Sequence, residues 1–254
     1  MKTMHLFAGV GGGLLCDLIL GHDPIVAVEW DPYCCTILRE RATEGWFPNL
    51  QVFEGDIRMF DPSKYTGRVD IIHAGFPCQD ISQAGKQAGV GEGTRSGLYR
   101  EVIRISDVVR PKFLFLENVS AILGNGLGTV LGDLAARGYN ARWCCLRASD
   151  VGAPHRRDRW WLLADFNSES KRDNDRRKKQ EKTWRSKPGI SIGEMGKPYE
   201  QEERARCSWW TESKFPRMVY GVPYRMDRQR ALGNAQIPLQ AATAFKILMG
   251  GLNA

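Results

Sequence analysis

Cys78 stands where this sequence could place a nucleophile. It lies in the run Gly-Phe-Pro-Cys-Gln at 75–79, directly after the apolar stretch 69–74, and it opens a segment rich in Gly, Ser and Gln that extends to Gly97. A thiol at the carboxyl end of a strand can attack a bound electrophile. A lone cysteine is more often a small buried hydrophobe, but the flanking Pro77 and Gln79 and the polar residues downstream favour the reactive role.

Three charged side chains could take part in the same chemistry. Glu117 ends the apolar run 112–117, and a carboxyl group that is partly desolvated at such a place has a raised pKa and can donate a proton. Arg157 and Arg159 precede the apolar run 160–163. Because alternate residues of a strand face one way, we expect the two guanidinium groups on one side. A solvated charge cluster is the alternative for the arginines.

A glycine-rich turn near the amino terminus could bind a small ligand. Phe7, Ala8, Gly9 and Gly11 lie between the first predicted strand and a helix, where glycines let the backbone approach a ligand and helix N–H groups face an anion. Leu14 occupies the third glycine position of the dinucleotide-binding fingerprint, so the turn is not that motif. A tight turn without a ligand remains the alternative.

Acidic and aromatic residues follow the next two predicted strands. Glu29 lies 20 residues after Gly9 and is followed by Trp30. A carboxylate there can accept hydrogen bonds from ribose hydroxyls, and an indole can stack on a nucleobase; the alternative is a capping acid beside a core tryptophan. Asp56 follows the third strand and adds an acceptor at the same edge of the sheet. These residues predict a pocket for an adenine nucleoside whose tail carries no long phosphate chain.

The apolar patterning predicts the elements that position these residues. Several apolar runs are continuous, as in strands buried on both faces of a mostly parallel sheet. The predicted strands are 4–8, 25–29, 51–54, 69–74, 112–117, 140–146 and 160–164. Helices are predicted at 33–41 after the cap Asp31 and Pro32, from Ser96 to before Pro111, and at 238–252. This alternation predicts a doubly wound α/β sheet, whose ligands lie at the carboxyl ends of the strands.

Composition limits the class of protein. The 254 residues can form one sizeable core with a small extra module. The seven cysteines show no disulfide framework and no Cys-x-x-Cys pair, which argues for reduced thiols and against a structural zinc site; no metal is expected. A leader peptide and an apolar run of membrane-spanning length are both missing from the sequence, so we expect a cytoplasmic protein of a bacterium or phage-infected cell, with no membrane partner.

The positive charge is concentrated in one segment. The chain carries a net charge of +7, and residues 166–225 hold 15 Lys/Arg and 9 Asp/Glu, a surplus of +6. Such a surplus favours a polyanionic partner. We interpret 166–221 as a small second module inserted into a main domain of 1–165 and 222–254. A disordered loop is the alternative for 168–200.

In this order the motifs resemble those of the DNA (cytosine-5) methyltransferase family, over nearly the whole chain outside 166–225. The resemblance implies the class I fold of S-adenosylmethionine-dependent methyltransferases, with S-adenosylmethionine as cofactor and double-stranded DNA as partner. No obligate protein partner is expected, and the chain is expected to be monomeric. The residues implied to bind the cofactor are Phe7, Ala8, Gly9, Gly11, Glu29, Trp30, Asp56, Ile57, Pro77, Leu98, Asn234 and Ala235.

The resemblance also implies a covalent mechanism. Cys78 would add to C6 of a flipped-out cytosine, while protonated Glu117 hydrogen-bonds N3. Arg159 would hold O2, and Arg157 would support the site. Ser82 and Gln79 are implied to contact DNA.

Three departures weaken inferences about DNA specificity. His155 stands where the family more often has Gln, the Arg-rich helix that usually precedes the C-terminal motif is not recognisable, and the recognition segment is short.

Other activities fit the sequence less well. A tRNA cytosine-5 methyltransferase is the nearest alternative, although its Cys-Phe-Thr signature is absent. A zinc deaminase needs His-x-Glu and Pro-Cys-x-x-Cys motifs that are also absent, and a dehydrogenase needs the third glycine. A non-catalytic DNA-binding relative predicts loss of Cys78 or Glu117, and both residues are present.

Overall fold

The structure is a computed structural model that describes residues 1–77, 97–124, 126–166 and 235–250. Its strands are β1 Lys2–Leu6, β2 Asp23–Glu29, β3 Gln51–Glu54, β4 Ile71–Gly75, β5 Phe113–Val119, β6 Tyr139–Arg147 and β7 Asp158–Phe166. Its α-helices are α1 Gly12–Leu20, α2 Pro32–Thr43, α3 Gly97–Val109, α4 Leu127–Ala136 and α5 Pro238–Gly250. Short 3-10 turns connect several of these elements.

The described strands form one sheet in the order β3-β2-β1-β4-β5-β7-β6. The first five in this order run parallel, and β7 and β6 add antiparallel pairs at one end. The chain moves outward from β1 to β3 and then returns to β4 on the other side of β1. The carboxyl ends of β1 and β4 therefore flank the point where strand order reverses, which is where doubly wound sheets bind ligands. The predicted fold class is confirmed.

Helices cover both faces of the sheet. On one face, α3 and α4 pack on the larger core cluster, which contains Val102, Ile105 and Leu134. On the other face, α1 and α5 pack together over Phe115 and Trp161. Strands buried on both faces explain why their sequences are continuously apolar.

Local sequence determines where the helices begin and end. Asp31 caps α2, with its side chain accepting a hydrogen bond from the Tyr33 N–H at 3.0 Å, and Pro32 occupies the first turn, as predicted. Helix α3 ends at Val109, before Pro111. The seven predicted strands are all found, and none of their ends differs from the prediction by more than two residues.

The described cysteines, which are Cys16, Cys34, Cys35, Cys144 and Cys145, are all free thiols. None of the helices in the described ranges has the length and apolar composition needed to cross a bilayer.

Candidate active site

The predicted glycine turn connects β1 to α1 through left-handed backbone. Phe7, Gly9 and Gly11 have φ of 59°, 55° and 92°, and Gly11 is the N-cap of α1. The turn is closed by the Gly11 N–H, which donates to the Ala8 carbonyl at 3.1 Å. Among the residues that the structure describes, none has an atom within 4 Å of a Cβ placed on Gly9. The backbone at Gly9 is therefore open to a ligand.

Glu29 holds this turn against the end of β2. Its carboxylate accepts hydrogen bonds from the backbone N–H groups of Gly9 at 2.7 Å, Trp30 at 3.0 Å and Asp31 at 2.9 Å. Glu29, the predicted acceptor for ribose hydroxyls, therefore also stabilises the turn. A ribose hydroxyl would have to donate to the lone pairs of the Glu29 carboxylate that these three hydrogen bonds leave free. The Trp30 indole is 72% exposed, which excludes the alternative of a core tryptophan.

The other predicted cofactor residues lie near neighbouring strand ends. Asp56 follows β3, and its carboxylate caps the 3-10 turn Ile57–Met59 and accepts from Arg58 Nε at 3.0 Å. Hydrogen bonding to Arg58 holds the pKa of Asp56 below its usual range. Ile57 is buried, and Leu98 is half-buried where α3 packs on the core.

Glu117 lies in β5, directly opposite Gly75 of β4 and Trp161 of β7. Its Oε1 is 2.9 Å from Arg159 Nε, and the two side chains are 12% and 20% exposed. Burial raises the pKa of Glu117, although Arg159, Arg157 and Gln236 act in the opposite direction. The predicted raised pKa is therefore found, together with the charges that limit it.

The charge of Arg157 acts on the same carboxyl group, although Arg157 lies outside the strand. It precedes β7 with φ of 29°, so strand alternation does not place it. Its Nη2 donates to the Ala235 carbonyl at 2.7 Å. Arg157 thus ties the segment that leads into α5 to the neighbourhood of Glu117. The charges of both arginines act on Glu117, and the side chain of Arg159 is only 20% exposed, so the cluster is not purely solvated.

Several predicted residues line one cavity. Glu117 shares it with Phe7, Ala8, Gly9 and Ala235. Trp30, Asp56, Ile57 and Leu98 are not among its lining residues. The acid and the glycine turn therefore face a common space, which is what transfer between two bound molecules requires.

The backbone that leads to the predicted nucleophile is fixed beside Glu117. Asn118 donates from Nδ2 to the carbonyl of buried Phe76 at 3.1 Å, and exposed Pro77 is the last described residue of this segment. The predicted site residues that lie outside the described residues are Cys78, Gln79, Ser82 and Asn234. The proposed boundary of the second module also falls outside them, apart from Phe166.

Six residues that line the cavity were not among the predicted site residues, namely His5, Leu6, Gly13, His73, Gly75 and Gln236. Gln236 belongs to the C-terminal motif and is polar within an otherwise apolar segment, which is a signal that could have identified it. The two histidines alternate with apolar residues inside buried strands, and nothing in their spacing marks them.

A buried polar cluster lies behind the cavity. His5, Asp17 and His73 carry possible metal-ligand atoms within 4.8 Å of one another. However, Asp17 already accepts from His5 Nε2 at 2.6 Å, from His22 Nδ1 at 3.2 Å and from the Thr3 hydroxyl. A metal ion would have to displace these hydrogen bonds, so we assign the cluster as a hydrogen-bond network.

Comparison with known proteins gives consistent matches. Residues 1–217 match the family model described as C-5 cytosine-specific DNA methylase. The Type II methyltransferase M.CviJI of Paramecium bursaria Chlorella virus IL3A is 36% identical over 166 residues, which cover 64% of this chain and 42% of that protein. M.MspI of Moraxella sp is 32% identical over 171 residues, covering 65% of this chain and 39% of that protein.

The chain spans about half the length, or less, of the curated relatives it matches. Among solved structures, DNMT2 of Spodoptera frugiperda superposes with a TM-score of 0.54 at 21% identity, over 66% of this chain and 51% of that one. At this identity the likeness is one of fold.

Proposed function

Since the chain belongs to the C-5 cytosine-specific DNA methylase family, we propose that it methylates C5 of cytosine in double-stranded DNA. The observation that supports this most directly is the buried Glu117 carboxyl group. It is paired with Arg159, lies beside the strand end that leads to Cys78, and faces the glycine turn across one cavity. The chemistry needs a protonable acid, a nucleophile and a bound methyl donor at one place.

The glycine turn and its neighbours fit S-adenosylmethionine. Open space at Gly9 lets backbone approach the amino-acid end of the molecule, and the α1 N-terminus favours a carboxylate. The exposed Trp30 can stack on adenine, while Glu29 and Asp56 offer acceptors to the ribose and the adenine amino group. Ile57, Pro77, Leu98, Asn234 and Ala235 complete the proposed contacts. When bound, S-adenosylmethionine supplies an electrophilic methyl group.

The polar residues around Glu117 would recognise the cytosine ring. Glu117, protonated, donates a hydrogen bond to N3, and Arg159 donates to O2. Because burial raises the pKa of Glu117, its neutral form costs less than it would in water. Arg157 holds the segment at Ala235 and keeps positive charge near the ring.

Cys78 would activate the base. C5 of cytosine is too weak a nucleophile to take a methyl group directly, so the Cys78 thiolate adds to C6 and forms an S–C6 bond. The electron pair displaced toward C5 and N3 is stabilised by Glu117. After C5 has gained the methyl group, it loses its proton, to a water molecule in our proposal, and the S–C6 bond breaks to release the thiolate.

A stacked cytosine cannot reach such a site, so the base must be flipped out of the duplex. Gln79 and Ser82 are proposed to contact the DNA. The basic segment 166–221 would bind phosphates and supply base readout as a separate module. We propose that the chain acts as a monomer without an obligate protein partner.

Bisulfite sequencing of a plasmid co-expressed with the protein tests this function and reads the target site. We expect protected cytosines within one short sequence context, and none with Cys78→Ser. A parallel assay on tRNA separates the alternative substrate. Methylation of tRNA with no protected plasmid cytosine would overturn the assignment to DNA.

A further inference from the structure

Three glycines enclose the side chain and backbone of Gln236. A Cβ on Gly12 would lie 2.2 Å from the Gln236 carbonyl oxygen, and one on Gly13 would lie 2.9 Å from Gln236 Oε1. A Cβ on Gly75 would lie 2.7 Å from Gln236 Nε2 and 3.0 Å from Glu117 Oε2. Contacts below 3.0 Å leave no room for any other residue at Gly12, Gly13 or Gly75 without a shift. The end of β4 and the first turn of α1 therefore pack closely around one glutamine.

The Gln236 amide joins two buried groups. It hydrogen-bonds the Glu117 carboxyl group and the His73 ring. Its Nε2 is on the side of Gly75 and Glu117, and its Oε1 is on the side of Gly13. With Nε2 on that side, the amide N–H donates to the Glu117 carboxyl group. The amide oxygen then accepts from His73.

His73 determines this orientation of the amide. Burial lowers the pKa of His73 to about 3, so the ring is neutral and carries one proton. Its Nε2 has no partner among the described residues, so the other ring nitrogen makes the hydrogen bond to Gln236, and it carries the proton when the amide oxygen accepts. The His5 ring packs against His73, with 4.9 Å between the two ring centroids, and is itself hydrogen-bonded to Asp17.

We propose that Gln236 is a positioning residue, whose amide orients the Glu117 carboxyl group through a hydrogen bond. This hydrogen bond forms only when the 235–237 segment is packed against α1 and the end of β4. The inference rests on the proposed function. Arg157 supports the same coupling, since it bonds the Ala235 carbonyl and also acts on Glu117. The 235–237 segment, which lines one side of the cavity, would thus also orient the Glu117 carboxyl group that binds the cytosine.

The charged and polar groups that face Glu117 determine its pKa, and therefore the pH profile of kcat/KM. Arg159 of β7, Arg157 just before β7 and the Gln236 amide favour the carboxylate, whereas burial opposes it. On β4, the facing residue is Gly75, which carries no charge, and His73 is neutral. Loss of the Gln236 donor therefore raises the pKa of Glu117, and the alkaline limb of the kcat/KM profile moves to higher pH.

The test compares the pH profile of kcat/KM for wild type and Gln236→Met on a DNA substrate. Loss of a hydrogen bond to a charged group is expected to move the alkaline limb by about one pH unit to higher pH. The matched control is Gln240→Met in α5, whose Nε2 donates to the carbonyls of Leu146 and Arg157. We expect Gln240→Met to lower the melting temperature but to leave the alkaline limb of the kcat/KM profile where it is in the wild type.

Gly75→Ala gives an independent measurement. The added methyl group displaces the Gln236 amide from Glu117 without removing either, so the limb should move in the same direction. Melting curves and S-adenosylmethionine titrations identify folded variants. A wild-type limb in folded Gln236→Met or Gly75→Ala, or an equal shift in Gln240→Met, would overturn the positioning role. An inactive wild type would instead contradict the proposed function.

Discussion

Nε of Arg159 lies 2.9 Å from Oε1 of Glu117, across the pairing of β5 with β7. The two side chains are mostly buried, so water screens their attraction only weakly. Burial favours the protonated acid, and the guanidinium favours the carboxylate. Burial and the Arg159 charge therefore shift the pKa of Glu117 in opposite directions. The balance between them determines the pH range in which Glu117 can donate its proton.

Glu117→Gln should abolish most methyl transfer while leaving cofactor binding intact. The amide keeps the size of the side chain but cannot exchange a proton with N3 as the acid does. We expect kcat to fall by about 10²- to 10⁴-fold, measured with labelled S-adenosylmethionine on duplex DNA. Glu40→Gln, on the exposed surface of α2, is the control and should keep full activity. A Glu117→Gln enzyme with normal kcat would remove the acid from the mechanism.

Arg159→Met should make folding stability fall more steeply as pH rises. The native pKa of Glu117 is already above its unfolded value, so the native state binds more protons between those two pKa values and stability declines as pH rises through that window. Removing the guanidinium raises the native pKa further and widens the window. Urea unfolding at about pH 5 and about pH 8 measures this.

The control for that experiment is Arg137→Met. Arg137 Nε lies 2.8 Å from Asp107 Oδ1, in a pair whose side chains are 30% and 49% exposed, and surface pairs contribute little. Equal pH dependence in Arg159→Met and Arg137→Met would contradict the opposed effects on Glu117.

Gly12→Ala should destabilise the protein and weaken S-adenosylmethionine binding. The new Cβ would lie 2.2 Å from the Gln236 carbonyl oxygen, which is backbone and cannot rotate away, so we expect a loss of about 1–3 kcal/mol. Gly128→Ala in α4, with nothing within 4 Å, should instead gain about 0.5–1 kcal/mol. Denaturant unfolding measures the change in the free energy of unfolding for each variant. Similar changes in Gly12→Ala and Gly128→Ala would rule out the close packing of Gln236 against Gly12.

Trp30→Leu should weaken S-adenosylmethionine binding. The indole is 72% exposed beside Glu29, and aromatic stacking on a base contributes about 1–3 kcal/mol, or about tenfold or more in Kd. Trp46→Leu, which removes an indole that is 51% exposed, should leave the Kd unchanged. Isothermal titration with S-adenosylmethionine compares them. Equal Kd values for both variants would exclude Trp30 from the pocket.

Thiol alkylation at about pH 8 should modify Cys78 ahead of the thiols of the sheet and its helices. Burial raises the pKa of Cys35 to about 12, with Glu29 and Glu54 adding to the effect, and that of Cys144 to about 11. The pKa values of Cys16 and Cys145 are raised for the same reason. Peptide mass spectrometry after timed labelling measures the rates. Labelling of Cys35 or Cys144 as fast as Cys78 would contradict a selectively reactive thiol.

The elements were predictable because their signals are local. Continuous apolar runs marked the strands, and Asp31 with Pro32 marked the start of α2, since capping and burial depend on nearby residues. Glu117 was identified by the same logic, as a carboxyl group at the end of an apolar run. Strand alternation does not place Arg157, because its backbone is left-handed and it precedes β7.

The doubly wound sheet, its seven strands and the residue types at their carboxyl ends follow from local sequence patterns. The folded structure was needed to see that Glu29 binds the glycine turn, that His73 is neutral and faces Gln236, and that Gln236 contacts Glu117, 119 residues away in the chain. The physical reason is that these contacts join segments distant along the chain, where packing across the sheet rather than local propensity selects the partner.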